Sequence, residues 1–255
     1  MPYVYAGGHR LDYERIDAGG RDRPTLVLLH EGLGSIAMWR DFPNRLAHAT
    51  ASRVVAYSRY GYGDSDPLTA PRTVRYMHDE AEHVLPEFLD ALAIERPILV
   101  GHSDGGSIAL IHAGGGGRGV TAVVAMAPHV IVEDISVTSI AAAREAYATT
   151  ALREKLARYH ADVDGVFWGW NDIWLAPDFR AWNIEEYLPR IACPILAIQG
   201  EDDEYGTMDQ LARIARGARD VELVKLPDCR HSPHRDQPGA VLDAIVRFVD
   251  RVTGA

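Results

Sequence analysis

The residues Gly101-His102-Ser103-Asp104-Gly105 follow an aliphatic run and precede a helix-forming stretch, which places a serine at a strand-to-helix turn. A serine projected from so sharp a turn needs neighbours without a Cβ, and Gly101 and Gly105 supply them. The helix start beneath it offers free N–H groups and the positive end of a dipole to a developing oxyanion. Ser103 is therefore expected to be a nucleophile, with the backbone N–H of Asp104 as one oxyanion donor.

A serine hydroxyl needs a base to remove its proton, and the base needs a carboxylate to orient it. Of the 11 histidines, His231 lies in a short loop after an apolar run and before the last helix, where a strand's C-terminal end is expected. His234, three residues on, is the rival. His231-x-x-His234 has no third ligand at suitable spacing, so no metal and no cofactor are expected. His102, beside the serine, is expected to point away and pack. For the acid, Gly200-Glu201-Asp202-Asp203-Glu204 puts four carboxylates just after a strand. Asp203 is the first choice, Asp202 the alternative, and a merely solvated loop the bland reading. The second oxyanion donor is expected from His30-Glu31-Gly32-Leu33-Gly34, with Gly32 preferred and Leu33 as the alternative.

The elements that must position these residues show in the hydrophobic pattern. Runs at 25–30, 53–57, 97–101, 120–126, 194–200 and 221–226 are short and aliphatic, without polar alternation, as in strands covered on both faces. Helical stretches at 39–49, 76–92, 107–112, 209–216 and 240–252 separate them. The last carries Val241, Ile245, Phe248 and Val252 on one stripe. This alternation predicts an α/β fold, a mostly parallel, doubly wound sheet flanked by helices, with sites at the C-terminal strand ends. Residues 130–189 break the pattern. They are helix-leaning and then aromatic, and read as a helical lid inserted into a core made of 1–129 and 190–255. Its aromatics either glue lid to body or line an apolar pocket. For such a pocket wall the candidates are Trp168, Trp170 and Trp174, with Leu33 from the body.

Composition narrows the function classes. The chain has 255 residues, 26 Lys and Arg against 36 Asp and Glu, and a net charge of −10. An acidic chain without a basic stripe is a poor partner for nucleic acid or an anionic membrane. No apolar run approaches the roughly 20 residues of a membrane helix. Two cysteines, Cys193 and Cys229, in no ligand spacing point to a reducing compartment. Residues 1–5 show no secretion signal, so a cytoplasmic protein acting on a small molecule is expected.

The motifs His30-Glu-Gly-Leu-Gly34, Arg59-Tyr-Gly-Tyr-Gly-Asp-Ser-Asp66, Gly101-His-Ser-Asp-Gly105, Gly200-Glu-Asp-Asp203 and Arg230-His-Ser-Pro-His234 together resemble the α/β-hydrolase superfamily from about residue 24 to 252. Two positions depart from its pattern: Glu31 stands where the family has Gly after the histidine, and Arg230 where it has Gly before the catalytic histidine. The resemblance implies acyl transfer to water through Ser103, His231 and Asp203, a carboxylic-ester hydrolase being the leading case. A thioesterase, lactonase or carbon–carbon bond hydrolase uses the same parts. A lyase or acyltransferase on the same frame, or a ligand-binding receptor with little turnover, stands outside hydrolysis. Ser103 at the nucleophile position argues against the family's haloalkane dehalogenases and epoxide hydrolases.

Overall fold

All six aliphatic runs form neighbouring strands of one sheet. The structure, a computed structural model, describes residues 2–18, 23–116 and 119–254. In chain order it runs through β1 (Tyr3–Ala6), β2 (His9–Asp17), β3 (Leu26–Leu29), α1 (Phe42–Thr50), β4 (Arg53–Tyr57), α2 (Tyr76–Asp79), α3 (Leu85–Ala91) and β5 (Ile98–His102). It continues with α4 (Asp104–Gly114), β6 (Ala122–Met126), α5 (Asp134–Thr149), α6 (Leu152–Leu156), α7 (Val163–Leu175), β7 (Ile195–Gly200), α8 (Asp209–Gly217), β8 (Val221–Leu226), α9 (Pro233–Asp236) and α10 (Pro238–Thr253). The eight strands lie in the order β1-β2-β4-β3-β5-β6-β7-β8. β3 to β8 pair in parallel, while β1 and β2 form an antiparallel hairpin whose second strand joins β4 antiparallel.

Alternate residues of the central strands serve two different cores, as a sheet covered on both faces requires. Leu26, Leu28, Val54 and Val100 pack under α1 and α10, where Phe42, Leu46, Val241, Ile245 and Phe248 are buried. Val27, Leu29, Val55 and Leu99 face the opposite side, against α3, α4 and the aromatic insertion.

Two features departed from the sequence pattern. The N-terminal hairpin is absent from the aliphatic runs because β2, HRLDYERID, sets only Leu11, Tyr13 and Ile16 among polar residues along a mostly part-buried strand. The single helix expected over 76–92 is interrupted by a π-wound segment, Glu80–Val84, between α2 and α3. Between β6 and β7 the chain leaves the sheet for α5, α6 and α7. The two ends of this excursion meet, Ile131 bridging Asn183 and Ile184 N–H donating to the Val130 carbonyl at 2.9 Å.

Glycine decides how closely α4 can approach the sheet. A Cβ on Gly105 would overlap the carbonyl oxygen of Leu29 on β3, and one on Gly101 would overlap that of Gly105. Backbone cannot yield as a flexible side chain can. Gly105→Ala is therefore expected to lower the unfolding free energy in urea by about 1–3 kcal/mol. Gly239→Ala, where nothing lies within 4 Å of the new carbon, is expected to lose none.

Candidate active site

Ser103 sits directly after β5 at φ 52° and ψ −118°, a region that residues with a Cβ enter only when their surroundings force them. The turn is pinned on both sides: Ser103 N–H donates to the Met126 carbonyl on β6 at 2.9 Å, and Ser107 N–H to the Ser103 carbonyl at 3.0 Å. The serine hydroxyl therefore stands at the C-terminal edge of the sheet, at the start of α4.

Two loops bring partners to it. The loop after β8 delivers His231, whose Nε2 lies 2.9 Å from Ser103 Oγ. The loop after β7 delivers Asp203, whose Oδ1 lies 2.8 Å from His231 Nδ1. These loops cross at Gly200, where a Cβ would overlap the Cys229 carbonyl oxygen. There the Asp202 N–H donates to Cys229 at 3.0 Å. Asp203 is 6% exposed as a residue and its carboxylate is fully used. Tyr205 and Gly206 N–H donate to Oδ1 at 2.8 and 3.2 Å, and Gln199 Nε2 donates to Oδ2 at 3.2 Å.

The electrostatics follow from that packing. Burial pushes the Asp203 carboxyl up, but the charge and hydrogen bond of His231, with the Tyr205 N–H, bring it below its ordinary value. Burial alone would lower His231, yet the Asp203 carboxylate, by charge and hydrogen bond, raises it above the ordinary histidine range. An Asp203 held as the anion keeps the His231 proton on Nδ1, leaving Nε2 free to accept the proton of Ser103.

Of the alternatives, Asp202 is exposed, and it is Asp203 that meets the histidine. His234 is buried among Trp39, Phe42 and His102, with no partner for either ring nitrogen among the described residues. Burial and the charge of His102 hold it well below the ordinary histidine value. His102 departs from expectation: its ring lines the site, and Nε2 donates to the His231 carbonyl at 2.7 Å, fixing the loop that carries the base.

A cavity of about 110 Å³ opens over Ser103. Gly32, Leu33 and Asp104 lie in its wall, as do Trp170 and Trp174, which are four residues apart on one face of α7. Trp168 does not line it. Two residues from Trp170, it falls on the far side of the same helix, is 36% exposed, and borders a separate cleft with Leu68, Arg72 and Gly169. That expectation is corrected by the 3.6-residue period of the helix. The pattern also left out His129, Ile140 and Tyr205, which complete the wall. They come from three different loops and helices and carry no motif. His129 is brought down to about 4 by burial and by His231, so it is a neutral neighbour of the base. Among the described residues no group of three or more His, Cys, Asp or Glu side chains is arranged to hold a metal.

The family model described as the alpha/beta hydrolase family matches residues 26–244. The chain is 32% identical over 108 residues to epoxide hydrolase 4 of Mus musculus, covering 42% of this chain and 29% of that protein. It is 37% identical over 92 residues to carboxylesterase YbfK of Bacillus subtilis (strain 168), covering 36% and 29%. It thus spans about a third of the length of the curated relatives it matches. The crystal structure of proline iminopeptidase from Mycobacterium smegmatis superposes with a TM-score of 0.81 at 19% identity, covering 99% of this chain and 98% of that one, a likeness of fold.

Because the base must be neutral to act, activity should fall as pH drops through the raised value of His231. The acidic limb of kcat/KM for an ester is expected above pH 6.5, the ordinary histidine value. Asp203→Asn should move that limb down and cut kcat by about 10³–10⁴-fold, while Asp202→Asn should leave both in place. A limb unmoved by Asp203→Asn would take the orienting role away from that residue.

Proposed function

The chain belongs to the alpha/beta hydrolase family, and from that premise we propose that it is a serine hydrolase that cleaves an ester-type bond of a small, apolar acyl or aryl substrate. The observation that carries this reading is the continuous line Ser103 Oγ to His231 Nε2 at 2.9 Å and His231 Nδ1 to Asp203 Oδ1 at 2.8 Å, built on a strained serine turn.

In this reading Ser103 Oγ attacks the substrate carbonyl as its proton passes to His231 Nε2. Asp203 holds the ring in position and stabilises the imidazolium that forms. The oxyanion lies against the N–H groups of Gly32 and Asp104, the latter at the start of α4 and so without a partner in its own helix. His231 returns its proton to the leaving alkoxide or phenoxide, which departs and leaves an acyl group on Ser103. Water, deprotonated by His231, then releases the acid and restores the hydroxyl.

The cavity favours a short acyl group: about 110 Å³, with Leu33, Ile140, Trp170 and Trp174 as apolar wall. Trp170 and Trp174 hang over it from α7, which supports reading residues 130–189 as a lid whose movement admits substrate. Glu31 at the rim, with His102 Nδ1 at 3.5 Å and the Arg235 guanidinium at 3.7 Å, is held well below the ordinary carboxylate value despite burial, which disfavours an anionic group there. A serine at the nucleophile position argues against the epoxide chemistry in the name of the mouse relative. Both cysteines are free, which supports a reducing compartment such as the cytoplasm; no helix among the described residues is long and apolar enough to cross a membrane.

The test is turnover of short-chain p-nitrophenyl esters. Wild-type protein is expected to hydrolyse the acetate and butyrate, and Ser103→Ala to lose at least about 10³-fold in kcat with its thermal midpoint nearly unchanged. Equal activity in Ser103→Ala would sink the mechanism.

A further inference from the structure

Of the two proposed oxyanion donors, the Asp104 N–H is fixed with the serine turn, where Ser107 N–H holds the Ser103 carbonyl at 3.0 Å, but the triad does not hold the Gly32 N–H. A second set of buried polar groups does. Arg59, 1% exposed, donates from Nη2 to the carbonyl oxygen of Glu31 at 3.0 Å and to that of His30 at 3.4 Å. The Arg59 N–H donates to His30 Nε2 at 3.0 Å, so the ring proton is on Nδ1 and goes to the same Glu31 carbonyl at 2.7 Å. Gly34 N–H donates to it as well, at 3.0 Å. Three donors thus converge on one carbonyl oxygen. In a trans peptide unit the C=O and the following N–H point in opposite directions. Fixing the Glu31 carbonyl therefore fixes the direction of the Gly32 N–H.

The same guanidinium lies 3.6 Å from Asp104 Oδ2, both side chains being 1% exposed. That oxygen also accepts the hydroxyl of Tyr76 at 2.7 Å. Burial and the neighbouring Asp104 raise Tyr76 well above its ordinary value, so it stays protonated as a donor. The Tyr76 hydroxyl oxygen in turn accepts from Trp174 Nε1 at 3.0 Å. Trp174 belongs to α7, and one turn earlier Trp170 presses on Gly32 so closely that a Cβ there would overlap its indole nitrogen. The insertion helix thus rests on both donor loops, directly at Gly32 and through Tyr76 at Asp104.

We propose that the chain Trp174–Tyr76–Asp104–Arg59–Glu31 carbonyl is a positioning device for the oxyanion hole, through which the seating of α7 sets the direction of the Gly32 N–H. None of its side chains need touch the reacting atoms. Arg59, Tyr76 and Trp174 are positioning residues: they act on the transition state through the Gly32 backbone donor, and only when the helix over the site is in place. This rests on the serine-hydrolase reading above and adds to it a coupling between lid and chemistry.

Tyr76→Phe and Trp174→Phe each keep an aromatic ring and remove one link. Loss of a whole donor costs about 10²–10³-fold, so a misdirected one is expected to cost about tenfold in kcat for p-nitrophenyl acetate, with KM within about twofold for Tyr76→Phe, which leaves the cavity wall intact. The inhibition constant of an aryl trifluoromethyl ketone, which forms the tetrahedral oxyanion on serine, should rise by the same factor as kcat/KM falls. Because Trp174 acts through the Tyr76 hydroxyl, the double variant should lose no more than Tyr76→Phe alone. Arg59→Lys, which keeps the charge but not the fork, should lose more, and if it does not fold the phenylalanine variants still decide. Variants with kcat within twofold of wild type, or additive losses that leave ketone inhibition unmoved, would overturn the inference while leaving the hydrolase reading intact. Wild-type protein that neither turns over esters nor binds the ketone would overturn both.

Discussion

Everything at the candidate site depends on the backbone of one residue. Ser103 is held at φ 52°, an arrangement costing of order 1–3 kcal/mol that the surroundings must over-determine. They do so from three directions: β6 accepts its N–H, α4 begins on the next residue, and Gly101 and Gly105 let helix and strand close to distances that a Cβ would forbid. The same close approach sets the loop after β3 beside the serine, since Gly105 lies against the Leu29 and His30 carbonyls. The sheet order β3-β5-β6-β7-β8 then brings the other loops to the same edge.

Polar groups are buried around that turn in two networks on opposite sides of it. One is the line Asp203–His231–Ser103, in which each proton has a defined place and a route. The other joins Arg59 and Asp104 with Tyr76 and the Glu31 carbonyl, on which three donors converge. Buried charge is tolerable in both because each has counter-charge and hydrogen bonds. Asp203 has three donors besides His231. Arg59 has two carbonyls and a carboxylate within 3.6 Å, and stacks over Tyr62 at 4.7 Å. The first network is suited to move a proton, the second to keep dipoles still, and electrostatic stabilisation of an oxyanion requires the second property.

The positions legible in the sequence were those where chemistry or backbone geometry dictates residue type. A serine between two glycines after an aliphatic run, a carboxylate after the fifth run and a histidine after the sixth are expected at strand ends, and the fold brings Ser103, Asp203 and His231 to one point. The central strands were legible because burial on both faces leaves uninterrupted aliphatic runs. The hairpin of β1 and β2 was not, since a part-buried strand with three apolar residues in nine carries no apolar run to announce it. His102, Gln199, Tyr205 and His129 were not legible either, because their roles come from contacts between loops far apart in the chain. The insertion was visible as an aromatic block, but which tryptophans face the serine depended on the phase of α7, which turns Trp168 outward and Trp170 and Trp174 inward.

At the centre of this account is a covalent acyl group on Ser103. Its most direct test is to mix the protein with excess p-nitrophenyl butyrate, quench in acid within milliseconds, and map the modified peptide by mass spectrometry. A butyryl adduct on Ser103 is expected, formed as one equivalent of p-nitrophenolate is released. Sustained ester hydrolysis with Ser103 unmodified at every quench time, or with the acyl group on another residue, would contradict it.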